Sequence, residues 1–123
     1  MHPKAEYWRL TQEQFDKIKI QINELGEKLL DGLQQEGFTK IKSSSDWLGV
    51  TVEKKIDDLL TIAGFSLDRE SPLEFRLVLR RWNVCDPTKT YIDIYEKKFH
   101  SIKEFESSFD NELQIIKEAL LVL

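Results

Sequence analysis

The sequence predicts an α+β fold of two layers, an antiparallel sheet with long N- and C-terminal helices packed on one of its faces. Three observations lead there. Apolar residues recur at helical spacing near each end, two central segments alternate apolar with polar residues, and no repeat or linker divides the chain. Its 123 residues suit a single globular domain over 1–123, with residues 1–9 a loosely held N-terminal segment. A chain of this size buries enough surface to build a core without disulfide or metal staples.

The first helix begins at Thr11, which has the chemistry of an N-cap. Gln14 stands where a capping-box partner belongs, and Leu10 and Phe15 are placed to form a hydrophobic staple. Phe15, Ile18, Ile22, Leu25, Leu29 and Leu33 follow at spacings of 3, 4, 3, 4 and 4, one apolar stripe, and Gly37 is the stop. Gly26 and Gly32 interrupt this helix at a cost of about 1 kcal/mol each relative to Ala, so a neighbouring element is expected to pass close, or the helix to bend.

Phe38 to Lys42 is β-compatible, and Ser43-Ser44-Ser45-Asp46 is turn chemistry. The next segment fits two templates. Leu48, Val50 and Val52 alternate as in a strand, whereas Val52, Ile56, Leu59, Leu60 and Ala63 also trace a helix face ending at Gly64. The expectation taken is a strand that hands over to a helix near Glu53. Ser66 to Pro72 reads as a loop.

Leu73 to Trp82 alternates cleanly. Leu73, Phe75, Leu77 and Leu79 form one face, and Glu74, Arg76, Val78, Arg80 and Trp82 the other. Asn83 to Lys89 turns the chain, and Thr90 to Phe99 alternates again, giving a hairpin with Ile92 and Ile94 inward and Tyr91, Asp93, Tyr95 and Lys97 outward. Ser101 and Glu104 repeat the capping-box pattern before a last helix carrying Ile102, Phe105, Phe109, Leu113, Ile116 and Leu120.

Covering the apolar sheet face with both helices leaves an outward face rich in arginine and aromatics. Arg76, Arg80, Trp82, Tyr91 and Tyr95 are the expected partner-binding residues, because Arg, Trp and Tyr concentrate binding energy at protein interfaces. The structural alternative is that these side chains cover one another as ordinary cross-strand pairs. The apolar end Ala119-Leu120-Leu121-Val122-Leu123 either docks on the core or completes a dimer or a partner's groove, and Tyr7-Trp8 either covers the start of the first helix or faces a partner.

Charge and chemistry narrow the function classes. Basic residues number 18 against 22 acidic, a net charge of −4, which argues against a phosphate-binding surface. Residues 11–37 hold three basic and six acidic residues and residues 100–123 hold two and five, so each helical region carries −3. The stretch 38–99 holds eleven and ten. Cys85 as a nucleophile would need a base, and only His2 and His100 are present. Asp57-Asp58 and Asp68/Glu70 are carboxylate pairs without the partners that catalysis needs. No phosphate loop, zinc spacing or calcium loop occurs, so neither a cofactor nor a metal is expected. The single cysteine and an N-terminus without an apolar signal core lead to the expectation of a cytoplasmic protein, and no run nears the roughly 18 apolar residues of a membrane span.

The function expected from sequence is therefore that of a non-catalytic protein-binding domain, an inhibitor or immunity-like partner or an adaptor, acting through the outward sheet face on an unknown protein. A structural homodimer through the helix stripes or the C-terminal tail is one alternative, and weak binding of single-stranded nucleic acid is the other.

Overall fold

A computed structural model describes residues 8–44, 47–68, 74–88 and 90–121. The expectations for Tyr7, Ser45-Asp46, most of the 66–72 loop, Leu73, Lys89 and Val122-Leu123 lie outside these residues. Helix α1 (Gln12–Leu33) is followed by a 3-10 turn (Gln34–Glu36) and five strands: β1 (Lys40–Lys42), β2 (Gly49–Ile56), β3 (Leu59–Leu67), β4 (Phe75–Asn83) and β5 (Tyr91–Phe99). Helices α2 (Ile102–Ser107) and α3 (Phe109–Leu121) complete the chain. The strands form one antiparallel sheet in sequence order, each paired with the next.

Helix α1 starts where its cap dictates. The Gln14 N–H donates to Thr11 Oγ1 at 3.1 Å, and the Thr11 N–H donates to Gln14 Oε1 at 2.9 Å. The chain leaves the helix at Gly37, with φ 94° and its N–H donating to the Gln34 carbonyl. The stripe faces the sheet: Phe15, Ile22, Leu25, Leu29 and Leu33 are all buried. Trp8 is buried against the same core, and Leu10 packs on it.

The expected close approaches to α1 are present. A Cβ on Gly26 would lie 2.3 Å from Val50 Cγ2, and one on Gly32 would lie 2.5 Å from Leu113 Cδ2. Gly26 thus seats the helix on β2, and Gly32 admits α3 alongside.

The segment after Glu53 is β-structure rather than helix. Strands β2 and β3 form a hairpin joined by Asp57-Asp58, with Asp57 at φ 54°. Aspartate tolerates this left-handed conformation, yet the pair lacks the glycine that usually announces such a turn. The helical spacing of Val52, Ile56, Leu59, Leu60 and Ala63 is a coincidence of two alternating strands read across their turn.

The C-terminal element is shorter than expected, because a break at Ser108 divides α2 from α3. Ser107 and Ser108 hydroxyls donate back to the Lys103 and Glu104 carbonyls at 2.9 and 3.2 Å, competing with the helical ladder where the chain bends. The Ser101 cap is made, with the Glu104 N–H donating to Ser101 Oγ at 3.1 Å. The Glu104 carboxylate receives its backbone N–H from His100 instead of Ser101. Phe105 of α2 stacks on Phe65 at 4.3 Å between ring centroids and meets Phe99 at 5.1 Å, which closes one end of the core. In the tail, Ala119 and Leu120 pack against the core and Leu121 is 82% exposed.

The largest departure from expectation is in β5. Leu79 pairs with Tyr95 while Arg80 pairs with Asp93, so Ile94 is an extra residue and the alternation changes phase there. Tyr91 and Asp93 face outward, opposite Trp82 and Arg80. Tyr95, Lys97 and Phe99 face the helices, opposite Leu79, Leu77 and Phe75. Tyr95 and Lys97 are therefore corrected from the outward to the covered face. The reason is packing: without the bulge, Phe99 would leave the core and Glu96 and Lys98 would enter it.

On the covered face the Tyr95 hydroxyl donates to Glu112 Oε1 at 2.6 Å and Lys97 Nζ donates to Glu112 Oε2 at 2.8 Å. Glu112, on α3, is 1% exposed, so both carboxylate oxygens are satisfied where water is excluded. Burial pushes the Tyr95 phenol above the ordinary tyrosine range, and the hydrogen bond and charge of Glu112 add to the shift.

Two outcomes follow for stability. Gly26→Ala should destabilise by about 1–3 kcal/mol in chemical denaturation despite its gain in helix propensity, because the branched Val50 has no room to yield; Gly32→Ala, against the tip of Leu113, should cost less. Glu112→Ala and Tyr95→Phe should each cost about 1–3 kcal/mol, the second because it leaves a buried carboxylate oxygen without its donor. The Tyr95 contribution should be full below pH ~10, the unfolded value, and lost as pH rises from there towards the raised folded value, a loss absent in Tyr95→Phe.

Candidate functional site

The register assembles the uncovered sheet face row by row. Ser66 lies between Gly49 and Arg76, with Lys98 beyond Arg76, and Gly64 lies between Thr51 and Val78, with Glu96 beyond Val78. Ile62 lies between Glu53 and Arg80, with Asp93 beyond Arg80, and Leu60 lies between Lys55 and Trp82, with Tyr91 beyond Trp82. Lys40 and Lys42 of β1 extend the same face.

Across the middle of this face runs a half-open cleft of about 250 Å³, with Gly64, Ile62 and Val78 as floor and Trp47, Arg76, Arg80 and Tyr91 around it. Gly64 deepens it by having no side chain; a Cβ there would meet Thr51 Cγ2 at 2.9 Å. The Trp47 ring lies over Gly49, where a Cβ would come within 2.3 Å of Trp47 Cζ2. Lys19 of α1 holds the backbone of this segment, since its ammonium donates to the Ser44 and Trp47 carbonyls and to Ser43 Oγ at 2.9 Å. The long helix thus fixes an aromatic wall on the opposite side of the sheet.

The charged residues of the face are largely paired across strands. Arg80 donates through Nε to Asp93 Oδ1 at 2.7 Å and through Nη2 to Oδ2 at 3.4 Å, while its Cζ lies 5.0 Å from the Tyr91 ring centroid. Tyr91 packs on Trp82 at 5.4 Å. Arg76 Nη1 lies 3.6 Å from Glu96 Oε2, and Lys42 Nζ lies 3.1 Å from Glu53 Oε1. The hydrogen bond from Arg80 holds the Asp93 carboxyl below the usual carboxylate range, against a smaller opposing effect of burial.

Four of the five expected residues, Arg76, Arg80, Trp82 and Tyr91, thus share the open face, and Tyr95 does not. Sequence reasoning missed Trp47, Ile62 and Gly64. The available signal is the glycine at 64, which inside a strand marks a close approach but which reads as a helix stop wherever the spacing of Val52 to Ala63 is read as helical.

The other chemically active residues lie apart. Cys85 is exposed in the β4–β5 connection, and His100 follows the far end of β5, a nine-residue strand about 30 Å long. His100 is thus out of reach as a base for Cys85. A hydrogen bond with Asp58 raises the thiol further from its nucleophilic form. Asp57 and Asp58 form the β2–β3 turn. Among the described residues, no three His, Cys, Asp or Glu side chains converge as metal ligands would, and no helix is long and apolar enough to cross a membrane. Comparison of the chain with protein-family models, curated proteins and solved structures finds no match.

The Arg80–Asp93 pair is open to direct test. In a carboxyl titration followed by NMR, Asp93 should ionise below the ordinary aspartate value of about 3.9, and Arg80→Gln should move its midpoint up towards that value. An unchanged midpoint would show that Arg80 does not control Asp93.

Proposed function

We propose that this chain is a non-catalytic binding domain that docks a protein partner on its open sheet face, in the manner of a small inhibitor or an adaptor. The observation that carries this reading is the cleft: an aromatic wall at Trp47 and the two guanidinium groups of Arg76 and Arg80 surround an apolar floor on a face that no described element covers. Aromatic and arginine side chains around a central depression are the composition of an interface hot spot.

Other ways of using the sheet are less well supported. The β5 edge carries a bulge and the charged residues Asp93, Glu96, Lys97 and Lys98, and the opposite edge is the three-residue Lys-Ile-Lys of β1. Both are devices that discourage strand addition, so the face is the better surface. A helix-to-helix homodimer would need the α1 stripe, which is buried in the chain's own core. For nucleic acid, Lys42 and Arg80 would have to give up carboxylate partners before meeting phosphate, which leaves Arg76 as a weak footprint for a polyanion.

Photo-crosslinking in the native cell tests the proposal. A photoreactive residue at Lys55 or Lys98, on the rim of the open face, should give one and the same protein adduct, and the same residue at Glu24 or Lys28 on α1 should give none. Adding Trp47→Ala and Arg76→Ala should reduce the adduct about tenfold or more, as expected when two hot-spot residues are removed. Adducts arising from the helix positions alone would overturn the reading.

A further inference from the structure

Resting on the docking face just described, the chemistry of its cleft defines what the partner must present. The volume, about 250 Å³, falls below the roughly 300–1,000 Å³ of small-molecule sites and suits one inserted side chain. The floor of Ile62, Gly64 and Val78 and the wall of Trp47 are apolar, so that side chain is aromatic or long and aliphatic. Charge sets its neighbours. The strands place six basic residues on this face, Lys40, Lys42, Lys55, Arg76, Arg80 and Lys98, against three acidic ones, Glu53, Asp93 and Glu96, although the whole chain is acidic at −4.

Arg76 singles out the point of contact. Arg80 is held in a fork by Asp93, whereas the Arg76 guanidinium makes no side-chain hydrogen bond among the described residues, and its nearest carboxylate, Glu96, stands off at 3.6 Å. At 39% side-chain exposure it lines the cleft with its planar set of donors available, the geometry that receives a carboxylate bidentately. We infer that the cleft accepts the aromatic or long aliphatic side chain of an acidic polypeptide segment, with a carboxylate of that segment closing on Arg76.

The test uses the full-length chain, isotopically labelled, at low salt. One probe is a capped tripeptide of aspartate, phenylalanine and aspartate, and the other is its asparagine counterpart. The acidic peptide should shift the Gly64 amide, the Trp47 indole and the Arg76 side-chain resonances saturably, and bind roughly five- to tenfold tighter than the neutral one. Arg76→Gln, at a surface position, should remove that preference while leaving the fold intact, and Val78→Phe should weaken both peptides by filling the cleft. Equal binding of the two peptides, no saturable shift, or displacement of the acidic peptide by a short oligouridine would overturn the inference. Rim crosslinks combined with equal peptide binding would remove this inference and leave the docking face standing. Peptide preference without rim crosslinks would support the cleft's chemistry and remove the docking of a cellular partner.

Discussion

A strand that begins outside the core and ends inside it has to change phase, and β5 does so at Ile94. Tyr91 and Phe99 are eight positions apart and would share a face in a regular strand, yet one pairs with Trp82 in the open and the other with Phe75 under the helices. The extra residue resolves that conflict. It gives Asp93 to Arg80 on one side of the sheet and Tyr95 and Lys97 to Glu112 on the other. The cross-strand pairing of the open face and the anchorage of α3 both depend on this one irregularity, and a bulge also blunts an edge strand against unwanted pairing.

The two layers communicate through places where a side chain is missing. Gly26 brings α1 onto Val50, and the Lys19 side chain of the same helix reaches past the end of the sheet to the segment carrying Trp47. Gly49 then leaves room for that indole above it, and Gly64 hollows the floor of the cleft. The aromatic wall of the cleft is therefore set by the seating of the helix, although helix and cleft lie on opposite faces. The Trp47 backbone carbonyl is held by Lys19 and its ring lies over Gly49, and ordering of a binding side chain before contact lowers the entropy cost of binding.

How much of this was legible depended on whether a signal was local. Caps and stripes were, because Thr11 with Gln14 and the series Phe15 to Leu33 act within a few residues of themselves; the glycines in α1 also announced close neighbours correctly. The β2–β3 hairpin was hidden by its Asp57-Asp58 turn, which lacks glycine, so two alternating strands merged into an apparent helix. The β5 phase shift was readable in principle. Carrying the Ile92/Ile94 alternation forward puts Glu96 and Lys98 inside and Phe99 outside, a burial pattern that cannot stand without a bulge. The break at Ser108 and the position of Trp47 over Gly49 depend on tertiary packing that no short window of sequence contains.

Carboxylate–cation pairs occur on both faces of the sheet, and burial decides what each can do. Around Glu112 the carboxylate is 1% exposed and, among the described residues, Tyr95 and Lys97 are the donors that compensate for lost water, so disturbing either one strands a buried polar group. In the two arginine pairs of the open face the groups are 29–44% exposed, and such pairs are worth about 0–1 kcal/mol because solvent competes for both partners. Cross-strand pairing therefore orders the arginines without locking them. A carboxylate arriving on a partner can take the place of Glu96 at Arg76 for little cost, whereas nothing arriving from solvent can take the place of Glu112. Mutual cover of the outward side chains and the proposed use in recognition are then compatible, since the pairs that hold the guanidinium groups around the apolar floor are weak and exchangeable.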